Sequence, residues 1–265
     1  MILTSSLPLI FCLIGQAPPS PAHPEESAGR LDFMKKSLAA YDVHSTDERA
    51  TRYRLQPDPI FRFTNPLGGG FGALFSWLDE DDRPVVMVKV YHNREGNWGH
   101  EFIALATRPL IANSRSGPDW TPSRDGLVFK PVPEAPKPAA TAVLRLLQMR
   151  DMTRDFAAED DFRKRGWSAI RLLSKPLSRY GRPGSDLIDG AIFGFVLATD
   201  PQVLLILEVR SGSDGPEWQY AFARLTTFAV KGSWKGREVW NLPPCFGLAR
   251  DTNQTFHIRS VQRGE

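Results

Sequence analysis

Cysteine is nearly absent from this chain: Cys12 and Cys245 are the only two in 265 residues. That excludes a disulfide framework and the paired-cysteine sites that hold structural zinc. A dominant charge of one sign is missing as well. Thirty-three basic side chains face 30 acidic ones for a formal net charge of +3, and the two signs are interleaved along the chain. Such a balance excludes a dedicated surface for nucleic acid or anionic membrane.

No apolar run approaches the roughly 20 residues that cross a bilayer as a helix. The strongest candidate, residues 7–17 (LPLIFCLIGQA), is followed by Pro18, Pro19, Ser20, Pro21 and Ala22. It fits the apolar region of a secretory signal, with Ser20 and Ala22 as the small residues before a cut after Ala22. Residues 1–22 are therefore read as a signal peptide and residues 23–29 as a disordered leader, and the mature protein is expected in the periplasm or outside the cell. Cys245 is then the one remaining cysteine, so the fold relies on its core. Catalytic signatures are missing too: no Gly-x-Ser-x-Gly and no His-Glu-x-x-His occurs.

What the sequence does contain is internal similarity. Arg54-Leu55, Pro59-Ile60 and Arg62-Phe63 recur as Arg171-Leu172, Pro176-Leu177 and Arg179-Tyr180 at an offset of 117. Gly72-Ala73-Leu74-Phe75 with Trp77 recurs as Gly190-Ala191-Ile192-Phe193 with Phe195 at 118. Trp98, Phe102, Leu105, Thr107 and Trp120 recur as Trp218, Phe222, Leu225, Thr227 and Trp240 at 120. Collinear order with so little drift indicates a tandem duplication.

Each copy reads as a helix followed by antiparallel strands. Residues 31–42 and 139–165 are the expected helices, each followed by a hairpin and a third strand. The second hairpin joins residues 190–198 to 203–210. Short connections favour antiparallel pairing. The expected fold class is therefore α+β, with a helix and an antiparallel β-meander duplicated in a pseudo-two-fold arrangement. Repeat 1 takes residues 30–129, a proline-rich linker residues 130–138, repeat 2 residues 139–250, and a tail residues 251–265, with an edge strand over 255–261.

One loop carries residue types that bind metals. In His92-Asn93-Arg94-Glu95-Gly96-Asn97-Trp98-Gly99-His100-Glu101 two imidazoles flank a turn, so His92 and His100 with Glu95 or Glu101 form a candidate metal site. Their counterparts in the second copy fall near Ser211 and Tyr220, so the cluster breaks the internal symmetry. No other cofactor is expected. The glycine run at residues 68–72 leads into a strand rather than opening a helix, which suits a corner better than a phosphate cradle. The acidic turn at residues 79–82 lacks the ligand spacing of a calcium loop. Cys245 is read as an inert thiol, and the recurring tryptophans as core.

Arg171-Leu172 through Tyr180, Asp189 through Phe193, Thr199-Asp200-Pro201, Trp218 through Arg224 and His100-Glu101-Phe102 together resemble a set of uncharacterised exported bacterial proteins. The resemblance covers most of the mature chain and implies no activity. The leading expectation is a non-catalytic binding or structural module whose partner is a protein or small molecule, without nucleic acid. The alternative is a metal-dependent or acid/base hydrolase at the His92/His100 loop.

Overall fold

β-Branched and aromatic residues dominate the segments that become strands, and tertiary pairing rather than helical propensity shapes the chain. The computed structural model describes residues 24–48, 50–65, 70–182 and 184–261. The first half contains α1 (Pro24–Leu38), β1 (Tyr41–Ser45), β2 (Arg54–Leu55), β3 (Phe61–Asn65), β4 (Gly70–Leu78), β5 (Pro84–His92), β6 (Trp98–Ala104) and β7 (Leu110–Ser114). After β8 (Lys130–Pro131), the second half contains α2 (Ala142–Met152), β9 (Phe156–Asp160), β10 (Ser168–Leu172), β11 (Ser178–Tyr180), β12 (Leu187–Leu197), β13 (Asp200–Gly212), β14 (Gly215–Arg224), β15 (Val230–Trp234) and β16 (Arg237–Leu242). The last strand is β17 (Phe256–Val261).

The α+β expectation is overturned. Among the described residues, strands take 48% and helices 14%, in large curled antiparallel sheets with two α-helices. The helix expected over residues 139–165 stops at Met152. Beyond it Phe156, Ala158 and Asp160 are buried while Ala157 is exposed and Glu159 half-buried, a two-residue alternation that makes a strand. Asp42, expected at the end of the first helix, lies in β1. Residues 24–29, read as a leader, form the first turns of α1. The signal peptide expected over residues 1–22 lies outside the described residues.

The strand pairings recur between the halves. Arg62 faces Ala73 and Phe63 faces Gly72 where β3 meets β4, while Arg179 faces Ala191 and Tyr180 faces Gly190 where β11 meets β12. Leu55 faces Trp77, and Leu172 faces Phe195. In the same way β1 pairs β7, and β9 pairs β15. What recurs is a set of seven strands in which the first pairs with the last, a longer-range unit than a helix plus a meander.

Each half also receives one strand from outside itself. β17, from the chain's end, pairs β6 over its whole length, whereas β8, from the connector between the halves, pairs β14. The start of the segment read as a linker is thus part of a sheet.

The core has three parts. Trp77, Phe75, Phe102 and Trp120 pack beneath α1. Phe193, Phe195, Trp218 and Phe222 pack with Met149 and Met152 of α2. Between the two sheets lies a seam drawn from both halves, in which Leu74, Met87 and Ile103 pack with Ile192, Leu204 and Ile206. Because β5 and β13 are covered on both faces, they read as nearly continuous apolar runs rather than as alternation.

Candidate functional site

β14 alternates Trp218, Tyr220, Phe222 and Arg224 onto one face. Its inner edge pairs with β13 throughout. Its outer edge meets β8 only at Gln219 and Tyr220, with Val132 N donating to Trp218 O at 2.9 Å just beyond. The corresponding edge of β6 is covered along Trp98 to Ile103 by β17, and Ala104 N then donates to Thr255 O at 2.8 Å. Arg224, which holds the place of Ala104 in the second half, has no such backbone partner among the described residues.

The chain preceding β8 bows away from this edge. Gly126 N donates to Ala106 O at 3.1 Å, and its backbone lies so close to β6 that an added Cβ would stand 1.9 Å from Ala104 O. Val128, next along, is 73% exposed. The space left beside residues 221–224 is a cavity of about 440 Å³. Phe222 and Trp240, stacked at 5.3 Å, form one wall, and Phe256 and Leu242 also line it. Val128 and Leu248 line the cavity while remaining exposed, and exposed Phe246 adjoins Cys245 on its wall.

Of the charged residues that line the cavity, Arg124, Asp125 and Lys130 are exposed and Arg224 is buried, at 8% exposed. Nε donates to Thr226 O at 3.0 Å, and Nη2 to Phe228 O at 2.6 Å and Pro243 O at 2.9 Å. Nη1 has no hydrogen-bond partner among the described residues. Burial lowers the Arg224 pKa, with the Cys245 sulfur acting the other way. Cys245 is half-buried, and burial raises its thiol pKa more than Arg224 lowers it, so it is a protonated thiol rather than an activated nucleophile.

The residues of the expected metal site are placed apart. The His92 ring stacks on Phe71 at 5.1 Å and tilts against Trp98 at 4.9 Å. His100 uses both nitrogens internally: Nδ1 is 2.9 Å from Tyr41 Oη and Nε2 is 3.0 Å from Ser37 Oγ. Since Ser37 Oγ donates to Met34 O at 2.8 Å, it accepts from Nε2, and Nδ1 accepts from Tyr41. Burial first, then Arg259, lowers the His100 pKa to about 3, so the ring is neutral.

Glu101 projects from the other face of β6 to Lys89, whose Nζ is 2.7 Å from Oε2. Glu95 sits in the exposed turn, accepting from Asn97 Nδ2 at 3.4 Å. No group of three or more His, Cys, Asp or Glu among the described residues is arranged to hold a metal. By register the counterpart of His92 is Val209, two residues before the position expected from sequence. Alternation along β14 did carry a signal for Arg224, a charge on a face otherwise aromatic. Nothing in the sequence announces that β8 stops short and opens the edge.

No protein-family model matches the chain, and no curated protein does. Among solved structures it is similar to an alpha-galactosidase from Lactobacillus brevis, at 9% identity and a TM-score of 0.16, over 77% of this chain and 27% of that one. A score so low carries no argument about fold or activity. Among the described residues no helix is long and apolar enough to cross a membrane.

Proposed function

We propose that this chain is an exported, non-catalytic binding module that takes a small, largely apolar molecule in the cavity beside β14. The observation that carries the reading is the cavity itself. Its volume of about 440 Å³ falls within the range of small-molecule sites, and aromatic and aliphatic side chains line most of it, with Arg224 as the buried charge and Arg124, Asp125 and Lys130 exposed at its rim. Exposed Val128, Phe246 and Leu248 add an apolar approach. The balanced surface charge favours a small-molecule ligand over nucleic acid. Export is supported by the apolar stretch at residues 7–17 and the small residues before position 23.

Binding of the neutral dye Nile red tests the cavity. Fluorescence enhancement that saturates at one site in the wild type and is lost in Val239→Trp, with an unchanged melting temperature, is expected. Equal enhancement in both proteins overturns the reading. Export is tested by the intact mass of protein recovered outside the cytoplasm: loss of residues 1–22 is expected, and a full-length mass overturns it.

A further inference from the structure

Four lysine or arginine side chains are buried among the described residues: Arg83, Lys89, Arg145 and Arg224. Three of them meet buried carboxylates. Arg83 Nε lies 3.0 Å from Glu208, Lys89 Nζ lies 2.7 Å from Glu101, and Arg145 Nε lies 2.8 Å from Asp189. Arg224 alone has no carboxylate within ion-pair distance. A buried cation without a counter-charge is unfavourable, because it gives up hydration that carbonyl dipoles replace only in part. Its guanidinium carries five N–H groups, and three are engaged by Thr226, Phe228 and Pro243. The two on Nη1 remain, on a side chain that lines the cavity.

From this we infer that the cavity binds a monocarboxylate with an apolar body, its carboxylate on Arg224 and its body against Phe222, Trp240, Leu242 and Phe256. The inference rests on the cavity being a ligand site and names the class of ligand. Arg124, Lys130 and Arg224 line the cavity with Asp125 as their one acidic neighbour, so the balance of charge favours an anion. A dianionic phosphate fits less well. One unspent nitrogen in a mostly apolar lining matches a group with one charge, and Lys130 Nζ already donates to Val239 O at 2.9 Å. A charge-assisted hydrogen bond to a guanidinium as buried as that of Arg224 is strong enough to discriminate head groups.

The experiment compares dodecanoate with dodecanol, each below its aggregation limit, as competitors of Nile red on the wild-type protein and on Arg224→Gln. Dodecanoate is expected to bind about tenfold or more tightly than dodecanol to the wild type, as one charge-assisted hydrogen bond provides. That preference is expected to vanish in Arg224→Gln. The wild-type comparison stands by itself if the variant does not fold. Equal binding of acid and alcohol overturns the carboxylate inference while leaving the cavity reading intact. An acid preference that persists in Arg224→Gln overturns the role of Arg224. Failure of Nile red, acid and alcohol alike overturns the cavity reading and this inference with it.

Discussion

Lys89 of the first half and Asp200 of the second form an ion pair across the seam, Nζ to Oδ1 at 3.3 Å, while Lys89 also holds Glu101 of its own half and donates to Leu225 O at 2.7 Å. Burial opposes the ammonium charge, but the Asp200 and Glu101 carboxylates outweigh it and hold Lys89 above the ordinary lysine range. The register places Ile206 and Ala221 where the first half has Lys89 and Glu101. Lys89→Ile strands the buried Glu101 carboxylate and the half-buried Asp200 carboxylate and is expected to cost about 3–5 kcal/mol. The double variant Lys89→Ile/Glu101→Ala reproduces the apolar pair of the second half and is expected to lose less than the single one. Urea unfolding free energies check both.

Asp160 is fully buried, and neither carboxylate oxygen has a hydrogen-bond partner meeting normal geometry among the described residues. Burial raises its pKa to about 6, against the nearby Phe162 N–H and with help from Asp161 and Asp200. A folded-state pKa above the unfolded value favours folding fully only below the unfolded pKa, and that contribution is lost as pH rises through about 6. Asp160→Asn is expected to be more stable than the wild type at pH 7–8, on the order of 2 kcal/mol. The gap is expected to close toward pH 4, which melting temperatures across that range would register.

His100 works in the opposite direction. Its pKa falls from 6.5 to about 3 in the folded state, so between those values the unfolded chain binds more protons. Stability therefore declines as pH drops from 6.5 toward 3. The second half holds Met152, Phe156 and Tyr220 where the first has Ser37, Tyr41 and His100. The triple variant Ser37→Met/Tyr41→Phe/His100→Tyr is expected to fold and to show a shallower acid decline than the wild type. An unchanged slope of unfolding free energy against pH assigns the decline to other groups.

Gly72 and Gly190 hold matched places beneath aromatic rings. A Cβ on Gly190 would lie 2.5 Å from Tyr180 Cε2, and one on Gly72 would lie 2.6 Å from Phe63 Cζ and 2.5 Å from Val90 O. Tyr180 is tied to Glu208 Oε1 at 2.9 Å and has little room to yield. Each Gly→Ala change is expected to destabilise by about 1–3 kcal/mol. Gly29→Ala in α1 meets nothing within 4 Å and is expected to be neutral or mildly stabilising. Thermal melts of the three variants separate these outcomes.

The strands around Gly72, Trp77, Trp98 and their counterparts were legible because pairing and burial leave a repeated mark on sequence. The fold class was not. The apolar residues Val143, Leu146, Leu147, Met149 and Phe156 fit the stripe of one long helix, yet Val143 and Leu147 are exposed, and Phe156 is buried from a strand, because the segment after Met152 follows a two-residue period. The candidate metal residues failed to converge for a reason of parity. Neighbouring positions in a strand face opposite ways, which sends His100 under α1 and Glu101 into the seam. Alternation puts Arg224 on the aromatic face of β14, but its lack of a counter-ion is a property of space and leaves no trace in composition.

The exchange of β8 and β17 gives the chain the logic of a dimer whose subunits traded tails before being fused. Neither half closes its sheet with its own residues alone, so freeing either tail bares a strand edge on the other half. Damage at one end is thereby felt at the far side of the molecule. The connector does more than join: with β8 it seals one half, and by stopping after two residues it leaves the gap in which the cavity lies.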